Sequence, residues 1–213
     1  MNQHIPVHTA PLRVDLQLIA DMVAPGTRVL DIGCGDGDLL DFLWREKQVD
    51  GRGIEISQAG VNAGVTRGLS VIQGNADTDL ADFPAGIFDY AILSQTLQAT
   101  ASPRKVLSEL VRIGKHAIVS FPNFGHWKVR RHLLLHGRMP VTEALEHSWF
   151  DTPNIHLCTI SDFVDLCGAL DIAIERAITL DGAGQPLTGL KASGALANLF
   201  GEQGLFLLTR KKP

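Results

Sequence analysis

The stretch RVLDIGCGDGDLLDFLW, Arg28 to Trp44, limits the fold more than any other part of the chain. A short apolar run ends at Ile32, glycines fall at Gly33, Gly35 and Gly37, and a helix-like run begins near Asp38. A strand that breaks into such a turn and then a helix brings backbone close to a ligand above the strand ends, because glycine lets the chain turn tightly with no Cβ in the way. A dinucleotide fingerprint spaces its glycines G-x-G-x-x-G and offers bare helix N-terminal amides to a pyrophosphate. Here the third glycine comes one position early. Asp31, Asp36, Asp38 and Asp41 also crowd the turn, with no Lys or Arg before Arg45. Each close pair of like charges would cost roughly 1 kcal/mol in water and about 4 kcal/mol near a protein surface. Such a turn opposes a pyrophosphate and suits a cation.

The rest of the chain repeats the strand signal. Gly51 to Ile56, Ser70 to Gln73, Tyr90 to Ser94 and His116 to Phe121 read as buried strands at intervals of about 20 residues. That interval leaves room for a crossover helix, and right-handed crossovers stack helices on both faces of a parallel sheet. Ile172 to Leu180 and Gly204 to Arg210 add two more strands. The expectation is a single α/β domain: a doubly wound, Rossmann-like, mostly parallel seven-stranded sheet. Residues 1–26 would carry a lead-in helix, with Leu16, Ile19, Ala20 and Val23 at helical spacing and Pro25-Gly26 as its stop. Residues 27–121 would form the ligand-binding half and 122–213 a cap or partner half. In that second half Phe124 to Met139 reads as a basic, partly apolar helix and Pro140 to Leu157 as a long connection. A further helix is expected near Ser161, its side chain as N-cap, with Phe163, Leu166 and Leu170 inward.

Composition narrows the partners. With 213 residues, 45% apolar, the chain has material for one core, and 20% charged residues at a net charge of -4 give no pull toward nucleic acid or an anionic membrane. The first residues lack the apolar core of a signal peptide and no apolar run is long enough to span a bilayer, so a soluble cytoplasmic protein is expected. Cys34, Cys158 and Cys167 are odd in number and show no CxxC spacing, which argues against a disulfide framework or a zinc site. His132 and His136 stand i, i+4 without an evident third ligand, so no metal is expected.

A ligand bearing both an ammonium and a sulfonium fits the acidic turn, and S-adenosyl-L-methionine has both. The carboxylate Asp31 before Gly33, Cys34, Gly35 and Gly37 resembles the first motif of class I S-adenosylmethionine-dependent methyltransferases. Three further pieces fall where that fold requires them. Glu55, beside Ile56 at the end of the second strand, can accept from both ribose hydroxyls. Asn75, Ala76 and Asp77 follow the third strand, with Asn75 at the position the family usually fills with Asp to bind the adenine amino group; its carbonyl can accept that bond without charge. The fourth strand leads into a loop, Ser94 to Gln98, that with Ser94 and Gln95 would face the methionine portion.

Longer segments go beyond that superfamily. VLDIGCGDGDLL, EKQVDGRGIEI, ILSQTLQAT, SFPNFGHWKVR, HGRMPVT and WFDTPNIHLCTISDF resemble the methionine biosynthesis protein MetW family, from Val29 to Phe163. The resemblance implies binding of S-adenosyl-L-methionine or S-adenosyl-L-homocysteine. It further implies a role in methionine biosynthesis beside the homoserine O-acyltransferase MetX, as its partner and support. Catalysis stays open, since a methyltransferase-like fold does not establish methyl transfer. Ser94-Gln95-Thr96-Leu97 lacks the Asn/Asp-Pro-Pro-aromatic pattern of nucleobase and amide methylation, and His126, His132, His136 and His156 have no spacing that assigns a base. Methyl transfer to an unidentified small molecule is the alternative. The cluster Trp127, Lys128, Arg130, Arg131 and Arg138 reads either as the solvated side of a helix packed through Leu133, Leu134 and Leu135, or as a cap or docking surface for MetX.

Overall fold

The computed structural model describes residues 12–142, 145–189 and 191–211. The start of the chain, on which the reading of a leader rests, lies outside the described residues. Seven strands form one sheet: β1 Arg28–Ile32, β2 Asp50–Glu55, β3 Ser70–Gln73, β4 Phe88–Ser94, β5 Gly114–Pro122, β6 Ile172–Leu180 and β7 Gln203–Arg210. Their order is β3-β2-β1-β4-β5-β7-β6, parallel except that β7 runs antiparallel to both β5 and β6. The order reverses between β1 and β4, and at such a switch point the loops beyond the strand ends part to leave a crevice.

Strand alternation sorts the core into two layers. Leu30, Leu93, Val119 and Phe121 face one side, where α4 (Pro103–Ile113) brings Leu107 and Leu110 and α6 (Ile160–Ala169) brings Phe163. Val29, Ile92, Ile118 and Leu205 face the other, against Ile19 of α1 (Val14–Met22) and Leu39 and Leu43 of α2 (Asp38–Lys47). Phe121 and Phe206 stack at 5.7 Å between centroids, and Phe163 tilts against both, which locks α6 onto the β5–β7 junction.

Three details differ from the sequence expectation. The N-cap of α6 is Thr159, not Ser161. Its hydroxyl accepts from the Asp162 amide while the Asp162 carboxylate accepts from the Thr159 amide, a reciprocal pair that outcompetes a cap two residues later. The basic helix is shorter than expected: α5 spans Trp127–His136, starting after an Asn123 turn and ending at Gly137 with φ 60°. The stretch before β7, which no sequence signal placed, contains α7 (Ala195–Phe200), and the Asn123 amide donates to the carbonyls of Asn198 and Gly201. The last strand's approach thereby braces the base of α5.

Candidate functional site

The turn after β1 is pinned to the end of β2. The amides of Gly33 and Cys34 both donate to the Ile54 carbonyl, at 2.7 and 3.2 Å, and the Gly35 amide donates to the Glu55 carboxylate at 2.9 Å. The other Glu55 oxygen accepts from Ser57 at 2.8 Å, at the start of α3 (Gln58–Thr66). Gly33, Gly35 and Gly37 all take left-handed φ values, 72°, 56° and 87°, which explains three glycines at alternate positions. At Gly33 space is a second constraint, since a Cβ would stand 2.5 Å from the Thr96 hydroxyl. Between the glycines Cys34 turns inward, where a Cβ on Gly53 would lie 2.5 Å from its sulfur; burial pushes the thiol up to about 12. Cys34 is a packing residue, and what it offers a ligand is backbone.

Asp31 is the electrostatic centre. It is 3% exposed, its Oδ1 has no hydrogen-bond partner among the described residues, and burial, aided by the charge of Glu55, raises its carboxyl to about 7. The other three aspartates of the turn do not share this state. Arg67, at the end of α3, reaches Asp38 at 2.7 Å and Asp36 at 3.9 Å, and Arg45 reaches Asp41 at 2.9 Å. The ring of uncompensated acids expected from the sequence is therefore corrected to one buried carboxylate, because Arg67 arrives from a helix far along the chain.

The remaining residues expected at the site line the same strand ends. Ile56 is 65% exposed next to the buried Glu55, an apolar surface beside a carboxylate. Asn75 Oδ1 accepts from the Asp77 amide at 2.9 Å, shaping the turn with Ala76 inside it. Both oxygens of Asp77 are engaged, by the amides of Ala101 and Ser102, so this side chain holds the start of α4. Ser94 and Ser120 join hydroxyl to hydroxyl at 3.1 Å, and Gln95, whose amide donates to the Ser120 carbonyl, is forced to φ 52°. A residue other than glycine held there is strained, and such strain gathers at functional sites. Gly60 and Arg67 were not anticipated: a Cβ on Gly60 would lie 2.8 Å from the Glu55 side chain and 2.8 Å from the Gly35 carbonyl, and no local pattern announces either residue.

The orphaned oxygen of Asp31, the Cβ-free backbone of the glycine turn and the Glu55 carboxylate beside an exposed apolar side chain fit a nucleoside carrying a cationic aminoacyl group. Asp31 would take the ammonium and Glu55 the ribose hydroxyls.

The basic cluster divides. Lys128 pairs with buried Glu202 at 2.8 Å, Arg130 donates to the Gly125 carbonyl at 2.6 Å, and Arg131 lies over the Trp127 ring at 4.9 Å. Arg138 is exposed. The leucines do not pack inward: Val129 is the buried residue of α5, whereas Leu134 is 85% and Leu135 68% exposed. His132 and His136 stack on each other, and among the described residues no group of three potential ligands could hold a metal. Among these residues no helix is long and apolar enough to cross a membrane.

This sheet order, with its last strand inserted antiparallel, is the fold of class I S-adenosylmethionine-dependent methyltransferases. An S-adenosylmethionine-dependent methyltransferase from Mesorhizobium loti superposes with a TM-score of 0.65 at 15% identity, over 92% of this chain and 98% of that one. The 4+2 cyclase SpnF superposes with a TM-score of 0.64 at 17% identity, over 93% and 81% of the two chains. Within that fold the chain belongs to the methionine biosynthesis protein MetW family, whose pattern it matches over residues 13–208. A relative in Rhodopirellula baltica, the bifunctional methionine biosynthesis protein MetXA/MetW, is 36% identical over 179 residues, covering 80% of this chain. The chain spans 29% of that relative's length.

Proposed function

We propose that this chain binds S-adenosyl-L-methionine, or S-adenosyl-L-homocysteine, in the crevice between β1 and β4, and acts in the cytoplasm as the partner and support of a MetX-type homoserine O-acyltransferase. The observation that carries the partnership is the apolar surface of the second half. Leu134 and Leu135 on α5, and Trp149, Phe150 and Ile155 in the following loop, are each at least 64% exposed. Side chains of this size left in water in such number mark a contact surface. Arg131 and Arg138 flank it with charge suited to an acidic rim. The fused MetXA/MetW relative supports the identity of the occupant.

In the crevice, Asp31 would hold the ammonium, Glu55 the ribose hydroxyls and the Asn75 carbonyl the adenine amino group, with Ile56 against the ring. Bound there, the group supplies a sulfonium-activated methyl. On the partnership reading, its role is to set the affinity of the complex, and any such coupling is reciprocal.

Co-purification with MetX and acyltransferase assays with and without this chain test the reading. A complex that raises the acylation rate is expected; no complex and an unchanged rate would sink it.

A further inference from the structure

Beyond Gln95 the crevice opens into a cavity of about 680 Å3, of the size that takes a small ligand. Its wall joins parts of the chain that no motif connects: Gln95 and Gln98 after β4, Arg13 and Asp15 from the lead-in, Glu146 from the connection after α5, and Gln203 at the start of β7. Two observations single it out. Gln98 is 5% exposed, yet its Oε1 has no hydrogen-bond partner among the described residues. Gln95, next to it, carries the strained φ of 52°.

The hydrogen bonds in the wall define what is missing. The Gln98 amide nitrogen donates to the Gln95 carbonyl at 2.7 Å, and the Gln95 side-chain nitrogen donates to Gln203 Oε1 at 3.2 Å. Each side chain spends one amide N–H on the protein, and the buried Gln98 oxygen remains an acceptor without a donor among the described residues. Asp15 neutralises Arg13 at 2.7 Å, and Glu146 adds a further carboxylate. A molecule completing this wall must bring hydrogen-bond donors and favours positive charge. Among the described lining residues there is no Phe, Tyr or Trp, and the one ring is the imidazole of exposed His147, so a flat heterocycle finds little to stack on.

We infer that this cavity binds a small aliphatic amine or amino alcohol, its ammonium directed to Gln98 and Glu146. The inference rests on the proposed cofactor site in one respect: Gln95 belongs to both, so the amine would lie beside the methionine end.

The test follows side-chain amide resonances of nitrogen-15-labelled protein during titration with ethanolamine, and with acetate as a donor-free control. Ethanolamine is expected to shift the Gln95 and Gln98 signals with an affinity in the millimolar range, while acetate leaves them in place. Gln98→Met, which keeps the length and the main-chain bonds, should weaken ethanolamine about tenfold; Glu146→Gln, at an exposed position that cannot disturb the core, about threefold. Absence of any shift with ethanolamine, equal response to acetate, or wild-type affinity in both variants would overturn the inference. S-adenosyl-L-methionine is titrated into the same samples. Ethanolamine binding to a protein that takes up no cofactor would reject the cofactor site while upholding the cavity.

Discussion

The Glu55 carboxylate accepts the Gly35 amide at 2.9 Å, so the last residue of β2 holds the glycine turn that follows β1. Glu55 therefore has a task before any ligand arrives: it presets the distance between the two walls of the crevice.

Replacing Glu55 by Ala strips two amides, those of exposed Gly35 and Ser57, of a buried charged acceptor. The expected loss is about 1 to 3 kcal/mol of stability together with loss of cofactor binding. Urea titration and calorimetry check it. An Ala variant as stable as wild type would show that the turn holds its shape unaided.

Asp31 gives a pH dependence with a definite sign. Its carboxyl is raised from 3.8 to about 7, so the folded protein keeps a proton that the unfolded chain has released. Stability from this residue is complete below about pH 4 and is lost as pH rises through about 7, by a few kcal/mol. Asp31→Asn should flatten that part of the profile in urea melts at a series of pH values. If the ionised carboxylate takes the cofactor's ammonium, binding expels the proton: wild-type affinity should rise from about pH 5 to pH 7 and then level off, and the Asn variant should show neither the rise nor the affinity.

Gly33→Ala meets two obstacles, a left-handed φ of 72° and a Cβ 2.5 Å from the Thr96 hydroxyl. A loss above about 2 kcal/mol is expected. Adding Thr96→Ala should recover part of it, leaving about 1 kcal/mol for the backbone. Equal stability of the single and double variants would assign the whole cost to conformation.

Leu134→Asp with Leu135→Asp should leave the melting profile within about 0.5 kcal/mol of wild type, since both side chains already face water. Retention on immobilised MetX should fall at least tenfold. Unchanged retention would move the docking surface elsewhere.

The ladder was legible because short apolar runs and glycine punctuation are local signals. β1, β3 and β6 begin and end where the apolar runs do, and the others differ at their margins. The glycine turn, with Asp31 before it, was legible for the same reason. What escaped depends on residues meeting from a distance. Arg67 cancels Asp36 and Asp38 from 31 and 29 positions away along the chain, and Gln203 joins Gln95 across 108. The exposure of Leu134 and Leu135 escaped differently: an amphipathic pattern says which side chains share a face, not whether that face has been given a neighbour.

The place of β7 bears on how the chain is made. Among the described residues β6 pairs in the sheet with β7 alone, and β7 separates it from β5. During synthesis from the amino end, the parallel strands through β5 can assemble early, while Ile172–Leu180 emerges with no edge to join. Until residues 203–210 clear the ribosome, β5 presents an open edge and β6 a bare strand. The nascent protein is thus most prone to stray strand pairing in the interval just before β7 slots between β5 and β6.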